Sequence, residues 1–424
     1  MKIYQNRIID QLKIIFSWEV FSMSLLEKIH ARFYQAILRF AALFASFPEP
    51  RIVQGSGTIR DLPELIRQEG ITHLFLIIYR GFRRTSVFDP LMKAFLDRNI
   101  QLTLFDQIPP DPPMETVETA VRMYRETSSQ GIAAIGGGSP MDVAKALGAR
   151  IGNPSKSLKD MEGLLKITGV IPPLFLIPTT AGTGSEATLC SVITDSKEQR
   201  KFFLVDAKLV PKVVILDPEL TTGLPSEITA ATGMDALTHA IEAFLGHSNT
   251  KKTTEQAIEA TVLIFKHLDN AVHDGTSLEA RSAMQKAAFL AGRAFTRAYL
   301  GYVHAITHNL SGFYHIPHGE ANAVFLPPVL EYYGKKAWKR LAQLAIAIGV
   351  GEPKNTNQIN AEKFILALRK LSKNVGMPDR FSGILKEDDL PIIVKRVFRE
   401  AHPSAPVPRF MGKKEIEQII RVVM

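Results

Sequence analysis

GIAAIGGGSPMDVAKALGAR, residues 131–150, runs from a short apolar stretch through three successive glycines into an amphipathic helix. Glycines let backbone N–H groups approach an anion closely, and the N-terminus of the helix that follows attracts negative charge. Strand, glycine turn and helix together have the layout of a pyrophosphate-binding loop in an α/β domain. The same letters also read as a plain helix start. Ser139 then serves as N-cap, Pro140 as the first helical residue and Asp142 as the third, a variant of the capping box. The loop is not a G-x-G-x-x-G fingerprint, because Met141 stands where the third glycine belongs, and no Gly-Lys-Ser/Thr follows to make a Walker loop. At this point helix capping and phosphate binding stand side by side.

Outward from the loop, strand-like and helix-like runs alternate. THLFLIIY (72–79) has an unbroken apolar core, Leu74 to Ile78, as a strand buried on both faces does. FDPLMKAFLDR reads as helix, IQLTLF as strand, METVETAVRMYRET as helix and IAAIG as strand. The alternation predicts a parallel sheet with crossover helices. VVILDPEL (213–220) is the last strong strand, and from about Thr221 the pattern is helical, punctuated by Gly and Pro. The expected division is an N-terminal helical extension over 1–47, an α/β dinucleotide-binding domain with a parallel sheet over 48–221, and an all-helical domain over 222–424. A translation start at Met23 would remove the first 22 residues of the extension.

With 46% hydrophobic and 22% charged residues, a chain of 424 has the material for two cores and is not a disordered polymer. One cysteine, Cys190, excludes an intrachain disulfide and a cysteine-ligated zinc. It fits a reducing, cytoplasmic compartment, and its apolar neighbours suggest a core position. The longest apolar run, AILRFAALFASF (36–47), is broken by Arg39 and falls short of the ~20 residues of a membrane span. No secretory-signal pattern is present. A net charge of +9 raises the question of nucleic acid or anionic membrane. The basic groups are dispersed, at Arg80, Arg83 and Arg84, at Lys335, Lys336, Lys339 and Arg340, and at Lys395, Arg396 and Arg399. None carries a nucleic-acid motif, and for the last two groups a solvated surface is the simpler reading.

A second polar cluster lies in LFLIPTTAGTGSEATLCSVITD (174–195), where an apolar strand runs into Thr179, Thr180, Gly182, Thr183, Gly184 and Ser185. Small hydroxyls and glycines at a strand's carboxyl end suit a cofactor crevice, although an ordinary turn has the same composition. In the helical half, four side chains are of metal-ligating type: Asp235 and His239 in GMDALTHAIEAF, His304 in GYVHAITH, and His318 in IPHGEAN. Asp235 and His239 share one helix face. One oxygen and three imidazoles suit Fe(II), Zn(II) or Co(II) better than Ca(II) or Mg(II), and so few protein ligands leave a position for substrate. Among 11 histidines, an Asp/His pair four apart is by itself as readily a pair of surface or core residues.

Taken in order, GGGSPMDVAKA (136–146), PTTAGTGSEAT (178–188), TGMDALTHAIEAF (232–244) and GYVHAITHNLSGFYHIPHGEANAV (301–324) make the chain resemble the iron-activated, or group III, alcohol dehydrogenases, relatives of glycerol dehydrogenase and dehydroquinate synthase. The resemblance runs from about Met23 to the end. It implies a dehydroquinate synthase-like fold, with an α/β cofactor domain followed by a helical metal domain, in a homo-oligomer. It implies that Asp235, His239, His304 and His318 bind Fe2+ or Zn2+, and that His308 lies beside nicotinamide and substrate as a proton relay. Gly137, Gly138, Ser139, Thr179, Thr180, Thr183, Thr188 and Lys201 would line the NAD or NADP site, with Asp142 and Ser185 of the same two motifs. The implied reaction moves a hydride between NAD(P)(H) and a primary alcohol or aldehyde held at the metal. A glycerol-type or hydroxy-acid dehydrogenase, or another metal-dependent reaction on this fold, is the alternative. No nucleic acid or membrane span is expected.

Two positions depart from the family pattern. The first strand of these enzymes usually ends in an acidic residue that holds the adenosine ribose and repels a 2′-phosphate. Here LIIYRGFRR puts Tyr79 there, with Arg80, Arg83 and Arg84 behind it, which leans toward NADP(H). Asn309 and Ser311, after His308, replace smaller or less polar residues common in relatives, which leaves the polarity of the substrate pocket open. His315 either faces that pocket or caps a turn.

Overall fold

In the computed structural model, residues 23–44, 47–198 and 200–424 are described. The chain opens with α1 (Leu25–Phe44) and β1 (Arg51–Gln54), then α2 (Leu62–Gln68), β2 (His73–Ile78), α3 (Phe88–Leu96), β3 (Gln101–Phe105), α4 (Met114–Glu126), β4 (Gly131–Gly136) and α5 (Gly138–Gly152). There follow β5 (Gly163–Leu164), β6 (Leu174–Pro178), β7 (Cys190–Asp195), β8 (Arg200–Val205) and β9 (Val213–Leu216). The rest is helical among the described residues: α6 (Ser226–Leu245), α7 (Lys251–His273), α8 (Leu278–Ala298), α9 (Tyr302–Tyr314), α10 (His318–Tyr333), α11 (Trp338–Ala347), α12 (Asn357–Asn374), α13 (Leu390–Ala401) and α14 (Lys413–Val422).

The main sheet is parallel, in the order β1-β9-β6-β4-β2-β3. Its central strands are apolar without alternation because both faces are covered. Phe75, Ile77, Ile132, Ala134, Leu174 and Leu176 pack with α4 and α5 on one face. Leu74, Leu76, Ala133, Ile135, Phe175 and Ile177 pack with α2 and α3 on the other. The carboxyl ends of β2, β4 and β6 therefore open on one crevice, where ligands of such sheets bind.

The capping-box reading of Ser139 and Asp142 is overturned. α5 starts at Gly138, with Gly137 as N-cap and no side chain capping it. Asp142 turns inward instead, and its Oδ1 accepts from Ser185 Oγ at 2.9 Å. The loop sits so close to the next one that a Cβ on Gly138 would lie 2.9 Å from Thr183 Cγ2.

A second sheet escaped the sequence. β7 and β8 form an antiparallel hairpin, with β5 parallel to β8. Its turn carries no Asn-Gly or Gly-Gly signal, so nothing local announced it. Of the helical extension expected over 1–47, the stretch Leu25–Phe44 is helical as α1. Residues 1–22, 45 and 46 of that expectation lie outside the described residues.

Downstream, α6 is buried on nearly every side from Thr229 to Leu245, as the axis of the helical half. α10 meets it so closely that a Cβ on Gly319 would overlap the carbonyl oxygen of Ala231. Gly319→Ala is expected to push α10 off α6 and cost about 1–3 kcal/mol of stability, read as a lowered denaturant midpoint. An unchanged midpoint would mean that the two helices part freely.

Candidate active site

Three helices bring the four metal-type side chains to one point. Asp235 and His239 lie one turn apart on α6, His304 lies in the first turn of α9, and His318 opens α10. Asp235 Oδ1 is 3.8 Å from His239 Nε2 and 3.6 Å from both His304 Nε2 and His318 Nε2. The donor edges of a tetrahedron with metal–nitrogen bonds of ~2.1 Å are ~3.4 Å, so this spacing fits a divalent transition metal. Asp235, His239 and His304 are buried and mutually within 4.8 Å. His318 is a quarter exposed, on the cleft side.

The electrostatics point the same way. Burial pushes His239 down to about 4 and holds His318 well below the usual imidazole range, so both are neutral with lone pairs to give. Burial works against ionisation of Asp235 too, yet the surrounding imidazoles hold its carboxyl well below the usual range. Burial likewise opposes charge on His304, but Asp235 and Glu242 overcome it and raise that imidazole to about 9. The proton that these two carboxylates keep there marks a place where positive charge is stabilised.

Glu242, which the sequence reading missed, is the scaffold of this group. One turn past His239, it accepts the backbone N–H groups of Gly301 and Val303 (3.0 and 2.8 Å) and His304 Nδ1 (2.7 Å). Nδ1 therefore carries the proton and Nε2 faces Asp235, the second-sphere arrangement common to metal-bound histidines. Asn322 is a further missed residue. Its Nδ2 donates to Asp235 Oδ1 at 2.7 Å, while its Oδ1 accepts from Thr307 Oγ1 at 2.6 Å.

Above this group the cleft divides. A chamber of about 280 Å³ is lined by Gly138, Ser139, Asp142, Thr183 and Ser185, by Thr188 and Lys201, and by Asp235, His239, His308 and His318. A wider cleft of about 1220 Å³ carries Tyr79, Gly137, Ser139, Thr179, Thr180 and Thr183, and reaches Asp235 and His318 at its inner end. The eleven residues read as cofactor-binding thus line one or both of two adjoining spaces that meet at Asp235 and His318. Lys201 projects from β8 to Asp111, Nζ to Oδ1 2.7 Å.

Of the three arginines behind Tyr79, Arg83 pairs with Asp106 (2.5 Å), whereas Arg84 lines the cleft beside Tyr79. Cys190 is a correction: it is half-buried and borders the chamber, because β7 runs past the site at the domain junction. His315 is exposed in a left-handed conformation at the C-terminus of α9, so it ends a helix and does not face the pocket.

Two more residues had no readable signal. Lys145, fully buried on α5, donates from Nζ to the carbonyl oxygens of Ser185 (2.5 Å), Thr188 (2.8 Å) and Cys190 (2.9 Å). It ties the second polar loop to the first. Burial lowers it to about 8 and raises the neighbouring Asp142 to about 7. Glu400, on α13, lies 92 residues from His308 in sequence, yet its Oε1 is 2.6 Å from His308 Nδ1 and its Oε2 accepts from Asn309 at 2.8 Å.

The family models agree with this geometry. Residues 48–218 match the model of the iron-containing alcohol dehydrogenases, and residues 229–424 match the C-terminal model of the Fe-containing alcohol dehydrogenase family. The chain belongs to the iron-containing alcohol dehydrogenase family. It is 34% identical over 376 residues to the NAD-dependent methanol dehydrogenase of Bacillus methanolicus, covering 88% of this chain and 98% of that one. It is 35% identical over 370 residues to the 1,3-propanediol dehydrogenase of Citrobacter freundii (87% and 95% covered), and 34% over 389 residues to the NADPH-dependent butanol dehydrogenase of Clostridium saccharobutylicum (89% and 97%). The crystal structure of a 1,3-propanediol oxidoreductase superposes with a TM-score of 0.85 at 33% identity, covering 90% of this chain and all of that one. The family models begin at residue 48, later than the start near Met23 that the motifs suggested, so α1 precedes them. As a family member the chain is an oxidoreductase of the alcohol–aldehyde couple that uses NAD(H) or NADP(H) and a divalent metal.

Glu242→Gln is expected to lower the affinity for Fe2+ or Zn2+ about 10–100-fold, measured by competition with a chelator. Unchanged affinity would mean that the carboxylate only anchors the Gly301 turn.

Proposed function

We propose that Asp235, His239, His304 and His318 together hold Fe2+, with Zn2+ as the substitute, at the inner end of a trough that takes a nicotinamide dinucleotide. The observation that carries this is the meeting of one carboxylate oxygen and three Nε2 atoms where the trough ends. When bound, the metal supplies Lewis acidity toward the substrate oxygen, and the nicotinamide supplies the hydride acceptor or donor.

The chain's own residues do the rest. The backbone at Gly137 and Gly138 and the start of α5 receive the pyrophosphate. Thr179, Thr180 and Thr183 line the trough, and Ser139, Asp142, Ser185, Thr188 and Lys201 surround its inner end. Oxidising CH–OH to C=O sends a hydride to the nicotinamide and a proton to a base. His308 is placed to be that base. A carboxylate only accepts, so Glu400 fixes the proton of His308 on Nδ1 and leaves Nε2 to take the substrate proton. The His308 ring stacks on His318, centroids 5.1 Å apart. Asn309 donates to Glu400 and so steadies it.

The division into an extension (1–47), a cofactor domain (48–221) and a metal domain (222–424) fits this trough between two halves. The exposed edge strand β1 supports a homo-oligomer, since an unpaired edge invites another chain. No described helix is long and apolar enough to cross a membrane. The single cysteine supports a cytoplasmic place of work.

His308→Ala in the Fe2+-loaded enzyme is expected to keep the metal and lower aldehyde reduction by about 10²–10⁴-fold. Loss of the metal in that variant would make His308 a ligand, and full activity would make it a packing residue. Tyr79 and Arg84 support NADP(H) being accepted at least as well as NAD(H). Tyr79→Asp should shift the ratio of kcat/KM about tenfold or more toward NADH, by placing like charge against a 2′-phosphate. An unchanged ratio would show that the end of β2 does not read the ribose.

A further inference from the structure

The chamber at the metal-type residues has a neighbour. Phe203, Phe295, Leu300 and His308 border both that chamber and an adjoining second cavity of about 340 Å³, which His304 also lines. That volume is at the small end of ligand pockets, ~300–1,000 Å³. Apart from Glu400 and the two histidines its walls are mostly hydrocarbon, among them Leu164, Leu189, Val205, Phe295, Leu300 and Ala305. Tyr34 and Leu38, which come from α1, supply part of its wall.

α1 is held firmly in that place. Gln35, 4% exposed, donates from Nε2 to the carbonyl oxygens of Pro403 (2.9 Å) and Ala405 (2.8 Å). Arg32 donates to the carbonyl oxygen of Val407 at 2.8 Å, and its guanidinium lies over the Phe410 ring, 4.2 Å from the centroid. Ala31 and Met23 join the core of the helical half. Yet α1 lies wholly before residue 48, where the family models begin. Part of the wall of this cavity is thus made by a segment outside the matched family region.

A strained residue stands at the same cavity. Tyr299, between α8 and α9, has φ 64° and ψ 178°, a conformation that side chains other than glycine's rarely adopt. Its side chain borders the same cavity as Tyr34. Such strain persists where the surroundings over-determine it, most often at ligand sites.

We propose that α1 is a substrate-selecting element: Tyr34 and Leu38 end an apolar channel that takes the hydrocarbon tail of a primary alcohol or aldehyde, and their position sets the longest tail accepted. This rests on the reading of the Asp/His group as the place where the reacting oxygen is held. The substrate class is then an unbranched, apolar alcohol or aldehyde of several carbons. Each methylene that enters the channel raises kcat/KM about fourfold, until the tail meets the wall.

The test is kcat/KM for a homologous series of primary alcohols with the Fe2+-loaded, full-length enzyme. In the native enzyme the values should climb and then break at one chain length. Leu38→Ala and Tyr34→Ala should move the break to longer chains, Leu38→Phe should move it to shorter ones, and Leu26→Ala, on the outer face of α1, should leave it in place. Variants that fold, turn over the shortest alcohol as the native enzyme does and break at the same length would overturn the proposal. Calorimetric binding of the same alcohols without nicotinamide reads the channel apart from catalysis. If no alcohol is oxidised, the functional reading fails. A break in affinity that still follows Leu38 then upholds the wall, and an affinity series blind to Leu38 sinks it.

Discussion

A buried carboxylate is the constraint on which the helical half depends. Asp235 is 3% exposed, in the middle of a helix that is itself buried on nearly every side. A charge in such a place is tolerated only if it is paired and hydrogen-bonded. Asn322 and three imidazoles meet that need: His239 from one turn along the same helix, His304 from α9, and His318 and Asn322 from α10. Glu242 fixes α9 through the Gly301 turn, and the bare Cα of Gly319 lets α10 reach α6.

The α/β half solves a different problem, that of keeping a polar trough open. Its glycine loop and its Thr-rich loop hang from adjacent parallel strands, β4 and β6, and are tied from below by Lys145. Burial of that ammonium costs free energy, which three carbonyl acceptors offset. The loops are therefore set before any ligand arrives, which reduces the ordering cost of binding. The small β5–β8–β7 sheet supplies the roof, bringing Lys201 and Phe203 over the site. It thereby borders both the chamber at the Asp/His group and the more apolar cavity that α1 helps to line.

Much of this was legible in the sequence because it is local. Unbroken apolar runs with helical segments between them can only be a parallel sheet with both faces covered, and the strands at Leu74–Ile78, Gly131–Gly136 and Val213–Leu216 lie where the runs are. The change of period after Thr221 announces the helical half. The Asp235/His239 pair is visible because a helix brings residues four apart onto one face, and the motif order around His304, His308 and His318 carried the resemblance to the family. Only the tertiary structure decided the rest. Glu400 reaches His308 from 92 residues away, Asn322 reaches Asp235 across 87, and Tyr34 borders a cavity most of whose walls lie more than a hundred residues downstream. Such partners are joined by packing and not by spacing, so no pattern along the chain encodes them. The same holds for the helix start at Gly138: Ser139 and Asp142 have the letters of a cap, but Ser185, brought in by the neighbouring strand, draws the carboxylate inward.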